Sequence, residues 1–191
     1  MEESPLERVR REKYLRTIVR IGLLALLLIV GVIVLLPLFR GGGSHIAGPA
    51  GLTGEKAPIF AMQDDTGRRV SLSRYRGSVV LMNLWATWCP PCRAELPDLQ
   101  HLYLTNASRG FVVIGVDQGE SAQRARLFAR SLGVGFPIWL DPDQDYGRAY
   151  AALGLPTTVI IDRQGRIVRG FDGALTAQQM RAAVEPLLFH T

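Results

Sequence analysis

The sequence predicts an α/β sandwich around a mixed sheet, and three observations carry that expectation. Short apolar runs at residues 79–85 and 111–116 read as buried strands, the first covered on both faces, and residues 157–161 read as a further strand. Helix-patterned segments lie between them, as strands alternating with helices require. The chain then closes with two strands around the turn Asp162-Arg-Gln-Gly165 and one more helix, so the last strand pair is antiparallel. No internal repeat is present.

Residues 1–40 carry seven basic and four acidic side chains, a net +3 of the chain's +5. Residues 21–39 follow without a single charge. A helix of that length covers roughly 28 Å, close to the hydrocarbon thickness of a bilayer. The expectation is a basic cytoplasmic segment (1–20), a single-pass transmembrane anchor (21–39) and everything beyond Phe39 outside the cytoplasm, by the positive-inside rule. A cleaved signal peptide is the rival reading. The apolar core is longer than usual, and Gly48-Pro-Ala50 is a poor cleavage site, so the anchor is expected to be retained. Residues 40–54, rich in glycine, read as a flexible tether, and residues 55–191 as an extracytoplasmic domain. The positive charge is therefore assigned to a membrane. No basic patch interleaved with aromatic residues suggests nucleic acid.

Within the domain, residues 57–62 and 69–72 flank the turn Asp64-Asp-Thr-Gly67 and predict a hairpin. The strand at 79–85 leads into a helix running to about Asn106, with a kink expected at Pro97. Next come a strand at 111–116, a helix at 121–132, a short strand at 136–140 and a helix at 144–153. Strands at 157–161 and 167–171 precede a final helix over 176–188, capped by Thr176.

The chain's only two cysteines fall in Trp85-Ala-Thr-Trp-Cys-Pro-Pro-Cys92, where a buried strand hands over to a helix. Unpaired N–H groups and the positive end of the macrodipole stabilise a thiolate there. Pro90 and Pro91 suit the first turn, since the N–H they lack had no helical partner. Cys89 is expected to be the more exposed, attacking thiol, and Cys92, one turn on, the thiol that resolves a mixed disulfide. A zinc site needs two more ligands, and His45, His101 and His190 are scattered over a linker, a helix and the terminus. A purely structural bridge closing so short a loop would restrain little chain. Neither a metal nor any other cofactor is expected beyond the redox-active pair itself.

Four segments together extend this reading: Gly54-Glu-Lys-Ala-Pro-Ile-Phe60, the Trp-Ala-Thr-Trp-Cys-Pro-Pro-Cys motif, Gly115-Val-Asp-Gln-Gly-Glu-Ser121 and Gly154-Leu-Pro-Thr-Thr-Val-Ile-Ile-Asp162. In that order they resemble the membrane-anchored thioredoxin-like proteins of the ResA, TlpA and CcmG group, over about residues 54–188, with the ResA and TlpA branches nearest. The resemblance implies a thioredoxin fold with an N-terminal hairpin and a central helix-containing insertion. It also implies reduction of disulfides outside the cytoplasm, notably the C-x-x-C-H pair of apocytochrome c, with electrons from a membrane thiol transporter of the CcdA or DsbD type.

Carried over by position, the resemblance makes Cys89 the nucleophile, Cys92 the resolving thiol and Pro156 the cis-proline facing the dithiol, with the Leu155 backbone free to pair with a bound peptide. Glu95, three residues after Cys92, matches a carboxylate near the dithiol and a proton acceptor; as a residue it also fits an ordinary surface glutamate. Glu120 matches a second carboxylate near the cleft, against a reading as plain negative charge before a helix. The buried acid of thioredoxin's central strand corresponds here to Asn83, which cannot move a proton and so strengthens the case for Glu95. Trp85 is expected beneath the site and Trp88 on the surface that meets substrate, against a reading of both as plain core residues.

Three other functions share these residues. A disulfide donor would use the same pair in the opposite direction. A peroxidase of the peroxiredoxin class would carry threonine three residues before its cysteine, where this chain has Ala86. A copper chaperone needs wider cysteine spacing and a third soft ligand, and the sequence offers neither.

Overall fold

The computed structural model describes Gly22, Leu23 and residues 48–189. The expected cytoplasmic segment, the membrane span apart from Gly22 and Leu23, and the tether up to residue 47 lie outside the described residues, among which no helix is long and apolar enough to cross a membrane.

Seven strands form one mixed sheet in the order β2-β1-β5-β4-β3-β6-β7. They are β1 (Met62–Asp64), β2 (Arg69–Val70), β3 (Val79–Trp85), β4 (Phe111–Gln118), β5 (Ile138–Asp141), β6 (Thr157–Ile161) and β7 (Ile167–Asp172). The central trio β3, β4 and β5 is parallel, and antiparallel β1/β2 and β6/β7 pairs close the two flanks. Every residue of β3 is buried, as its unbroken apolar run requires of a strand covered on both faces. Four helices complete the thioredoxin-like fold: α1 (Pro90–Asn106), α2 (Ala122–Ser131), α3 (Asp145–Ala149) and α4 (Ala177–Phe189).

Alternation along the strands sorts the core into two layers. Val79, Leu81 and Trp85 of β3 face α1, α2 and α4, meeting Leu96, Leu99, Ala125, Ala129, Met180 and Val184. Val80, Met82 and Leu84 face the other side, where Trp139, Tyr146 and Tyr150 lie with Leu72 and Val70. Position 83 thus belongs to the layer beneath α1, although it is polar. Ser121 caps α2 by accepting from the Arg124 N–H at 3.4 Å. Thr176 caps α4 reciprocally: its hydroxyl accepts from Gln179 N–H at 3.3 Å, and Gln179 Oε1 accepts from the Thr176 N–H at 2.8 Å.

The expected elements are present, and several differ in extent: the second hairpin strand is only Arg69–Val70, with Leu72 in a 3-10 turn, β4 runs on to Gln118 and β5 spans Ile138–Asp141. Residues 48–54, read as the end of the tether, are docked onto the domain: a 3-10 turn at Pro49–Leu52 lies on β7, and Gly54 N–H donates to Ile167 O at 2.7 Å. Gly170 permits this approach, because a Cβ there would fall 2.3 Å from the Pro49 carbonyl carbon. The first strand of the hairpin begins at Met62 rather than at residue 57. The helix expected over 144–153 is only Asp145–Ala149. Beyond it Ala151 takes a positive φ of 52°, and Leu153 N–H turns to donate to Asp172 Oδ1 at 3.2 Å. Helix-favouring alanines yield there to the need to return the chain to the start of β6.

Candidate functional site

β3 ends at Trp85, and a tight turn closed by Cys89 N–H donating to Ala86 O at 3.2 Å carries the chain into α1. Cys89 is the N-cap of α1: its sulfur accepts from the Cys92 N–H at 3.3 Å, and Pro90 and Pro91 fill the first turn. The structure places both sulfurs in one disulfide, with the Cα atoms 5.3 Å apart. Cys92 is fully buried, whereas Cys89 keeps 3% of its surface, so what little access exists is to Cys89. The order of exposure matches expectation; the absolute exposure of Cys89 is small.

Glu95 lies on α1 one turn after Cys92 and is 3% exposed, which excludes the surface-glutamate reading. Asn83 on β3 donates from Nδ2 to Glu95 Oε1 at 2.7 Å and to Thr158 Oγ1 on β6 at 3.1 Å. Leu175 N–H, just before α4, donates to Glu95 Oε2 at 3.0 Å. Burial pushes the Glu95 carboxyl above the usual carboxylate range, against the pull of these two donors. The arrangement therefore holds a carboxyl of raised proton affinity in the layer beneath the disulfide. Asn83 orients it and has no titratable proton to exchange.

A second acid pair lies on the other side of the turn. Glu120 accepts from Thr87 N–H at 2.6 Å, from Thr87 Oγ1 at 2.7 Å and from Arg124 Nε at 2.8 Å. Its side chain is only 6% exposed, so it is more than negative charge before a helix. Asp117, the register partner of Trp85 on β4, is fully buried and caps the following turn by accepting the Glu120 N–H at 3.0 Å on Oδ1. Burial, then the hydrogen bond to Glu120 and its charge, push Asp117 up to about 8. Burial also opposes charge on Glu120, but the Thr87 donors, Asp117 and Arg124 outweigh it and hold Glu120 below the usual range. The environments thus drive two adjacent carboxyls apart, one neutral and one ionised.

Trp85 is buried beneath the turn and stacks on Phe128 with ring centroids 5.9 Å apart. Trp88 is 61% exposed and lines an open cavity of about 290 Å³ with Gln118, Gln144, Arg148, Leu153 and Leu155. The Leu155–Pro156 bond is cis, as expected. Pro156 stands one residue beyond the last β3/β6 pair, Leu84 with Thr157, at the end of the sheet where the cysteines lie. Asp172 Oδ1 secures this loop by accepting from Leu153 N–H and from Thr157 Oγ1 at 3.0 Å. Among the described residues neither the N–H nor the C=O of Leu155 has a hydrogen-bond partner. An extended peptide entering the cavity would find both groups available.

Among the described residues no group of three or more His, Cys, Asp or Glu side chains is disposed to hold a metal ion, and His101 is exposed on α1. Sequence reasoning did not single out Asp117, Thr87, Thr158 or the Leu175 N–H. The signal available for the first was an acid at the end of a buried strand, three residues before a second acid across Gly119.

Comparison with known proteins agrees with this geometry. Residues 53–169 match the family model described as AhpC/TSA. The chain is 38% identical over 123 residues to the thiol-disulfide oxidoreductase ResA of Bacillus subtilis, covering 64% of this chain and 69% of that protein. With ResA of Geobacillus thermodenitrificans it shares 34% identity over 134 residues, 70% of this chain and 77% of the relative. Among solved structures, a Chlorobium tepidum protein described as a putative thiol:disulfide interchange protein DsbE superposes with a TM-score of 0.67 at 32% identity, covering 71% of this chain and 97% of that one.

Proposed function

The chain belongs to the AhpC/TSA family and is a thiol-disulfide oxidoreductase; we propose that it works as a reductase of protein disulfides outside the cytoplasm, tethered by residues 21–39. The observation that carries this reading is the Cys89–Cys92 disulfide at a helix N-terminus, beside a cavity that offers the unpaired backbone of Leu155 and the exposed ring of Trp88. The client is a polypeptide bound in extended form, and the C-x-x-C-H pair of apocytochrome c is the client class the reading favours.

In the reduced protein the Cys89 thiolate, stabilised by the helix N-terminus and the Cys92 N–H, attacks one sulfur of the client disulfide. A Cys89–client bond forms, and the client's other sulfur leaves as a thiolate. Cys92 then gives its proton to Glu95, attacks the Cys89 sulfur and forms the Cys89–Cys92 bond. The second client thiolate is released, so two electrons have passed to the client. A membrane thiol donor of the CcdA or DsbD type returns the pair to its dithiol form. Burial that raises the proton affinity of Glu95 suits it to the transfer from Cys92.

Trapping tests the reading. Cys92→Ser removes the resolving sulfur, so full-length protein expressed in its host should be captured covalently joined through Cys89 to its clients, with apocytochrome c among them by mass spectrometry. Capture of no exported protein, or accumulation of a Cys89 sulfenic acid in place of mixed disulfides, would overturn it.

A further inference from the structure

The acid pair at Asp117 and Glu120 is not consumed by the exchange chemistry, yet it is wired to the turn that carries Cys89. Both oxygens of Glu120 are committed to Thr87, one to its N–H at 2.6 Å and one to its hydroxyl at 2.7 Å. Thr87 is the second residue of the turn closed by Cys89 N–H and Ala86 O. What fixes Thr87 therefore fixes Trp88, which lines the client cavity, and Cys89, which attacks. Behind Glu120 stands Asp117, fully buried, whose Oδ2 has no partner when written as a carboxylate. Few native groups are left in that condition, because an unpaired buried carboxylate oxygen is costly. A proton on Oδ2 resolves it by making Asp117 a donor to Glu120.

We propose that Asp117 is a positioning residue for the oxidoreductase: its proton, shared with Glu120, clamps the Thr87 turn and so sets the placement and reactivity of Cys89. The inference rests on the oxidoreductase activity and not on the identity of the client. Two charged groups act on Asp117: Glu120, which its proton pairs, and Arg124, whose Nε bonds Glu120 at 2.8 Å and Thr87 Oγ1 at 3.0 Å. Arg124 is exposed, with 63% of its side-chain surface open, so it screens the pair without replacing the proton. When Asp117 releases that proton to solvent, two carboxylates face each other. Repulsion then loosens the grip of Glu120 on Thr87, and the added negative charge near the turn disfavours the Cys89 thiolate.

The direct test separates this titration from that of the thiols. In the oxidised full-length protein no thiol titrates, so carbon NMR of the Asp117 carboxyl and proton exchange at the Thr87 amide can be followed from about pH 5 to pH 10. The expected result is a common inflection near pH 8, with Thr87 amide protection falling about tenfold above it, an opening change of the size one such hydrogen bond supplies. Asp117→Asn, which keeps a donor but cannot titrate, should abolish the inflection at Thr87. In the reduced protein it should also remove the alkaline step from the pH profile of Cys89 alkylation. Glu120→Gln, which removes the facing charge, should move the Asp117 inflection to lower pH. The proposal is overturned by an Asp117 carboxyl that titrates in the ordinary carboxylate range. It is equally overturned by Thr87 and Cys89 profiles that superimpose for wild type and Asp117→Asn.

Discussion

Replacing Glu95 by Gln separates the proton-acceptor role from the structural one. The side chain accepts two hydrogen bonds, from Asn83 Nδ2 at 2.7 Å and Leu175 N–H at 3.0 Å. Glutamine has one acceptor oxygen, which can serve Leu175, while its amide group meets Asn83. Asn83 Oδ1 is buried without a partner, so a flip of that amide can accept the new N–H at the expense of the 3.1 Å bond to Thr158. One neutral hydrogen bond is thus rearranged, costing about 1 kcal/mol, offset by relief from burying a carboxyl of strained charge. The loss in exchange is expected to be larger: a positioned proton acceptor contributes about 10²- to 10⁴-fold. Single-turnover mixing of reduced full-length protein with a disulfide peptide, quenched in acid and resolved by mass, should show the Cys89–peptide mixed disulfide accumulating in Glu95→Gln. Its melting temperature should fall by no more than a few degrees. Resolution at the wild-type rate with an unchanged pH profile would refute the assignment, and a collapse of stability would show that Glu95 serves the fold alone.

Gly170→Ala should destabilise the domain by about 1–3 kcal/mol, read as a lower urea midpoint, because its Cβ would fall on the Pro49 backbone at 2.3 Å and push the 3-10 turn off β7. Trp88→Ala should change the unfolding free energy by no more than about 0.5 kcal/mol, since the ring is 61% exposed, while raising KM for a polypeptide disulfide more than for a small-molecule one. The pH dependence of stability should carry the mark of Asp117. A carboxyl whose folded value is raised to about 8 contributes stability that is complete below its unfolded value of 3.8 and is lost as pH rises through 8. Wild-type protein in the oxidised state should therefore unfold at lower urea at about pH 9 than at about pH 6, and Asp117→Asn should flatten that slope.

The sheet was legible in the sequence because its central strands are unbroken apolar runs, and β3 and β6 have the limits that hydrophobicity alone assigns. The cysteine pair was legible because the strand-to-helix junction, the two prolines and the spacing all point to one place. The helix predicted over 144–153 stops at Ala149 because, although Tyr-Ala-Ala-Leu favours helix locally, the positive φ at Ala151 and the bond from Leu153 to Asp172 are demands of the sheet end the chain must reach. Burial of the acids was the least legible feature. Glu95 and Glu120 follow spacings equally compatible with a solvated helix surface, and the donors that make burial tolerable come from remote positions: Asn83, Leu175 and Thr87. The alternation that turns Asp117 and Asn83 toward the helices is readable once register is known; sequence alone does not supply it.

The central claim, that this oxidoreductase is run as a reductase, is tested most directly by the redox state of Cys89 and Cys92 in living cells. Intact cells are quenched in acid, free thiols are alkylated with a mass-shifting reagent, and the full-length chain is resolved by size. The account predicts a largely reduced pair in an oxidising compartment, shifting to the disulfide when the membrane thiol donor is deleted. A pair that is largely oxidised in the donor's presence and unaffected by its deletion would contradict it and would mark the protein as a disulfide donor.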